Sequence, residues 1–161
     1  MKIFLDANVL VSVLNKQYPL FTYSSRILSL ASHPKFEIYT SPLCLAIAFY
    51  FADKKHKSQL AKQKIDLLCQ HIKITPNSAK GVFDTLYNKP IHDFEDGLEY
   101  YAAESAECKC IITEDIEDFY FADIEVLNCQ EFFKRHLLNC ILQLKLTAKN
   151  CKPIKQVFSH V

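Results

Sequence analysis

The chain has 161 residues, a formal net charge of +1 and half its residues apolar, which describes one domain able to bury about 70% of its unfolded surface. That composition excludes a disordered tail. Its only two glycines, Gly81 and Gly97, exclude a glycine-rich phosphate loop and with it the P-loop and Rossmann readings.

In chain order, Ile3 to Leu5 reads as a central strand and Val9 to Leu14 as a short helix. Pro19 suits the first turn of a helix to about Ser32. Phe36 to Tyr39 is a second strand, after which Ser41 is a helix N-cap with Pro42 at the first helical position. That helix runs to about Ala52 and is broken by Lys54-Lys55-His56-Lys57, before a more polar helix to Cys69. A strand at Ile72 to Thr75 and a helix at Asn77 to Tyr87 follow. An acidic helix then starts at Phe94, and strands at Cys110 to Thr113 and Glu125 to Leu127 complete the series. Repeated strand and helix alternation predicts a mainly parallel sheet covered by helices on both faces.

Within this frame the acids are the informative residues. Lys2-Ile3-Phe4-Leu5 ends in Asp6, so the first strand delivers a carboxylate to the carboxyl edge of the sheet, where open α/β folds bind ligands. Cys110-Ile111-Ile112 leads into Thr113-Glu114-Asp115, which predicts Asp115 at the same edge. The helix opened by Asp93-Phe94-Glu95-Asp96 feeds that strand, runs antiparallel to it, and so lays its first turn over the same edge. Asp6, Asp96 and Asp115 are expected to converge. Each also has a plain reading. Asp93 suits an N-cap with Asp96 at capping-box spacing, and Asp115 and Asp118 suit a turn.

Converging carboxylates repel, and hard cations relieve the repulsion. Mg2+ or Mn2+ prefers oxygen ligands and needs only one or two protein carboxylates besides phosphate oxygens and water. Such a site suits phosphodiester hydrolysis. With no glycine-rich loop, phosphate would have to be held by metal.

Lys2-Ile3-Phe4-Leu5-Asp6-Ala7-Asn8, Asp93-Phe94-Glu95-Asp96 and Ile112-Thr113-Glu114-Asp115 with Asp118-Phe119 together resemble the motifs of the PIN domain, the fold of VapC-type toxin ribonucleases, over residues 1 to 133. The resemblance implies a three-layer α/β/α sandwich and a Mg2+- or Mn2+-dependent ribonuclease acting on single-stranded RNA. It implies metal-binding roles for Asp6, Asp96 and Asp115, with Asn8, Thr113 and Asp118 as supporting polar groups. An antitoxin protein is the implied partner, and a homodimer is compatible with it.

One departure stands out. The family usually carries a further Glu in a pattern like Ser-Pro-x-x-x-Ala-Glu, whereas Ser41-Pro42-Leu43-Cys44-Leu45-Ala46 is followed here by Ile47. Glu99, three residues after Asp96, and Glu95, immediately before Asp96, are candidate substitutes, although a solvated helix face is the simpler expectation for both. The alternative function is therefore a catalytically weak domain that binds RNA or a protein. A phosphoacceptor receiver domain shares the fold class, but expects paired acids after the first strand and a late Lys, and neither is present.

Seven cysteines without zinc or CxxC spacing predict reduced thiols of a cytoplasmic protein, and no apolar run reaches membrane-spanning length. All eighteen acids lie at or before Glu131, while six of nineteen basic residues follow it. The body thus carries 13 minus 18, or minus 5, and residues 134–161 form a basic C-terminal helix and tail. Phe132, Phe133, Leu137, Leu138, Ile141 and Leu142 outline an apolar face for packing on the body or a second subunit. Lys54 to Lys64 is the other basic run, and it contacts RNA only if the fold brings it to the acidic edge.

Overall fold

The computed structural model describes residues 1–137. Five parallel strands, β1 (Lys2–Leu5), β2 (Glu37–Thr40), β3 (Lys73–Ile74), β4 (Cys110–Ile112) and β5 (Glu125–Leu127), form one sheet in the order β3-β2-β1-β4-β5. β1 and β4 are its apolar centre, with Ile3, Phe4, Leu5, Cys110, Ile111 and Ile112 fully buried. Parallel strands covered on both faces have no solvent side, hence these unbroken apolar runs.

The helices are α1 (Ala7–Asn15), α2 (Phe21–Leu28), α3 (Pro42–His56), α4 (Ser58–Cys69), α5 (Ala79–Tyr87), α6 (Phe94–Ser105) and α7 (Cys129–Phe132). The chain winds outward from β1 through β2 to β3, then returns through α5 and α6 to β4 on the other side of β1. Right-handed crossovers accordingly put α1 to α4 on one face and α5 with α6 on the other, and α1, α3 and α4 pack together while α5 packs on α6. The expected three-layer sandwich is present.

Local chemistry sets the boundaries. Ser41 caps α3 by accepting the Cys44 amide at 3.1 Å, with Pro42 at the first position as its sequence predicts. The basic run does not end α3 where expected, because Lys54, Lys55 and His56 are its last turn and the break falls at Lys57, whose φ is 68°. Pro19 also departs from expectation. It precedes α2, whose first residue is Phe21, and the helix gives way to a 3-10 turn at Ser29–Ser32. Phe132 is buried and Phe133 packs against the core, while Leu138, Ile141, Leu142 and the basic residues from Lys145 onward lie outside the described residues.

Candidate active site

The strand order reverses between β1 and β4, which makes the crevice beyond their carboxyl ends the switch point where open α/β sheets bind ligands. The register pairs Leu5 with Ile112. One residue further along each strand, Asp6 and Thr113 therefore stand side by side. Both are buried, and Thr113 Oγ1 donates to Asp6 Oδ2 at 2.5 Å.

Thr113 Oγ1 also accepts from Asn8 Nδ2 at 2.9 Å and from the Asp115 amide at 3.0 Å. Two donors on the oxygen commit its own proton to Asp6. Asn8 Nδ2 reaches on to Asp115 Oδ2 at 3.1 Å, and Asn8 Oδ1 accepts the Glu114 amide at 3.3 Å. A single polar chain thus runs from Asp6 through Thr113 and Asn8 to Asp115, joining the end of β1, the first turn of α1 and the loop after β4.

α6 supplies the rest. Asp93 is its N-cap, its Oδ1 accepting the amides of Glu95 at 2.8 Å and Asp96 at 3.4 Å. The expected capping role of Asp93 is thereby met, and the carboxyl group of Asp96 is free to turn toward the crevice. Burial, and then the negative charges of Asp93, Asp6, Asp118 and Glu95, raise the Asp96 carboxyl to about 7. Asp118 is exposed in the 3-10 turn Ile116–Phe119, close enough for its charge to act on Asp96.

Glu99 differs from the expectation for it. Glu95 is exposed, but Glu99 is only 2% exposed and lies within hydrogen-bonding reach of Asp6 and the Cys44 thiol. Helical spacing places Glu99 on the Asp96 face, and that face turns inward against the end of β1 and the first turns of α3. Burial pushes both the Asp6 and Glu99 carboxyls up. The contact between them favours the charge on Asp6 and the proton on Glu99. One Glu99 oxygen, Oε2, is buried without a partner. Ile47, one helical turn beyond Cys44 on α3, packs against the core.

Asp6, Asp96 and Asp115 all stand at the carboxyl edge, but among the described residues no three His, Cys, Asp or Glu side chains are gathered closely enough to form a metal-holding group. Asp115 is exposed and tied to Asn8, whereas Asp6 is buried beside Glu99. This donor set fits a hard cation. It is made of carboxylate oxygen, it carries more negative charge than burial favours, and it leaves a buried oxygen unpaired. Mg2+ would complete its shell with water and phosphate.

The basic run of α3 and α4 is placed elsewhere. Lys55 Nζ donates to the Asn15 carbonyl, and the buried Lys64 donates to the Leu14 carbonyl at 2.8 Å. These lysines neutralise the carboxyl end of α1, about 13 Å along the helix from the Asp6 end. Close in sequence to the acids lie exposed rings: Phe94, inside the motif itself, and His92 and Tyr120, which motif reading overlooked. His92 and Tyr120 have ring centroids 5.8 Å apart, the Tyr120 hydroxyl donates to the Pro90 carbonyl, and Phe94 is exposed two residues before Asp96. The only sequence signal of His92 and Tyr120 was proximity to Asp96 and Asp118.

Among the described residues no helix is long and apolar enough to cross a membrane. A family model described as PIN domain matches residues 2–117. Ribonuclease VapC1 of Aquifex aeolicus (strain VF5) is 30% identical over 138 residues, covering 83% of this chain and 94% of that protein. Among solved structures, VapBC2 from Rickettsia felis bound to a promoter DNA fragment aligns with a TM-score of 0.62 at 24% identity, covering 80% of this chain and 98% of the other. VapBC-1 from nontypeable Haemophilus influenzae gives 0.61 at 17% identity, with coverage of 81% and 99%. The β1/β4 crevice with its acids and the match across residues 2–117 place this chain in the PIN-domain family.

Proposed function

We propose that the chain is a divalent-metal-dependent endoribonuclease that cleaves single-stranded RNA and serves as the toxin of a toxin–antitoxin pair. The observation that carries the proposal is the buried Asp6, fixed by Thr113 and set beside Asp96 at the β1/β4 crevice. Asp6, Asp96 and Asp115 would hold Mg2+ or Mn2+, and the bound ion supplies polarisation of a phosphate oxygen and a more acidic water. The chain's own part is positional. Thr113 commits its proton to Asp6, Asn8 restrains Asp115, and Asp93 with Asp118 deepens the negative potential at Asp96.

The exposed rings of His92, Phe94 and Tyr120, close in sequence to the acids, suit unpaired bases, which stack on aromatic faces, and this supports a single-stranded substrate. The relatives crystallised as VapBC assemblies support an antitoxin as protein partner. The apolar Ile47 favours a second reading, an RNA-binding domain with weak catalysis. A single-stranded RNA pool incubated with Mg2+ or Mn2+, and with EDTA in parallel, separates the two. Cleavage that requires the metal and falls more than about 100-fold in Asp6→Asn is expected, because the amide keeps the shape but weakens a hard-cation site. RNA binding without metal-dependent cleavage would support the second reading.

A further inference from the structure

We infer that Glu99 is the acid that replaces the missing carboxylate of α3, so that the site draws a second buried oxygen donor for a hard divalent cation, besides Asp6, from α6. The inference rests on the metal-site reading above and assigns a residue that this reading does not require. Near the crevice the first turns of α3 carry Cys44 and, one turn on, Ile47, and neither offers a side-chain oxygen. Cys44 is a fully buried thiol held by Ser41 Oγ at 3.1 Å, and Ile47, one turn on, is hydrocarbon. Across from them α6 turns Glu99 inward, 2% exposed, against Asp6 and Cys44.

Two features point to a ligand rather than to packing. Glu99 Oε2 is buried and unpartnered, an arrangement whose desolvation cost an apolar side chain would avoid. The carboxyl group beside it is that of Asp6, itself an acid, so the pair is complete only with a shared proton or a cation between the carboxylates. α6 already carries Asp96 one turn earlier, and residues three apart share a helix face. One helix thus presents two acids to the same crevice.

The test is Mn2+ titration by calorimetry, with thermal melts, on wild type, Glu99→Gln, Ile47→Glu and the double variant. Glu99→Gln keeps size and removes only the ionisable oxygen. It should weaken Mn2+ binding at least about tenfold while the apo melting temperature holds or rises. Ile47→Glu placed on Glu99→Gln should recover Mn2+ affinity, since the acid returns from α3. Wild-type affinity in Glu99→Gln, with a higher apo melting temperature, would mark Glu99 as a proton-sharing neighbour of Asp6 and overturn the inference alone. Absence of Mn2+ binding by the wild type would overturn the metal-site reading and the inference together.

Discussion

At the residue scale, one hydroxyl determines how Asp6 is presented. Thr113 Oγ1 takes two hydrogen bonds and gives one, so Thr113→Val keeps the shape while leaving Asn8, the Asp115 amide and Asp6 each short of a partner. Such supporting groups typically alter metal affinity by about 10–100-fold. Thr113→Val is expected to weaken Mn2+ binding within that range and to destabilise the fold by about 1–3 kcal/mol, whereas Thr113→Ser should retain most of both. Calorimetric titration and denaturant melts measure the two effects; unchanged Mn2+ affinity in the valine variant would remove Thr113 from the site. Asp6 and Thr113 were legible in the sequence because a buried strand has one carboxyl end, and an acid there has one edge to occupy. Glu99 was not. Helical periodicity gave its face correctly, but what covers that face is Asp6 and Cys44, residues far off in the chain that only the fold brings near.

At the element scale, α6 delivers Asp96 through a close approach to α5. Gly97 allows it, because a Cβ at this position would lie 2.4 Å from Thr85 Cγ2 and 2.9 Å from Ile91 Cγ2. Thr85 is β-branched and bonded through its hydroxyl to the Gly81 carbonyl at 2.8 Å, so it has little freedom to give way. Gly97→Ala should destabilise by about 1–3 kcal/mol, lowering the melting temperature by about 2–4 °C per kcal/mol, and should shift Asp96 away from Asp6. A melt together with an Mn2+ titration checks both effects. An alanine variant as stable and as metal-competent as wild type would show that the two helices separate without cost. The basic run illustrates the opposite limit of legibility. Composition marks Lys54 to Lys64 as an RNA-contact candidate, yet Lys55 and Lys64 serve the carboxyl end of α1, a role set by the packing of α1 on α3 and α4 and not by the run itself.

For the whole molecule, the deciding quantity is the charge that the fold gathers at one edge. Alternating strands and helices made the parallel sheet legible, and the reversal at β1 follows from a chain that winds outward and then crosses back. The electrostatic consequence needed the fold, because the half-buried Asp96 is raised to about 7 by burial and by acids from three separate segments. A carboxyl group whose folded pKa lies above its unfolded value holds more protons in the native state between the two. Its contribution to stability is therefore complete below pH ~4 and is lost as pH rises toward 7. Asp6 and Glu99 are shifted in the same direction. Without metal, the melting temperature is expected to fall as pH climbs through this interval. A cation that binds only the folded, ionised cluster reverses the trend, adding about 2.7 kcal/mol at a free concentration a hundred times its Kd, or about 5–11 °C for a chain of this size. Melts across pH 4 to 8 with and without Mn2+ check this, and the metal-induced gain should grow with pH and vanish in Asp6→Asn. A gain independent of pH, or one that survives in Asp6→Asn, would place the cation away from these acids.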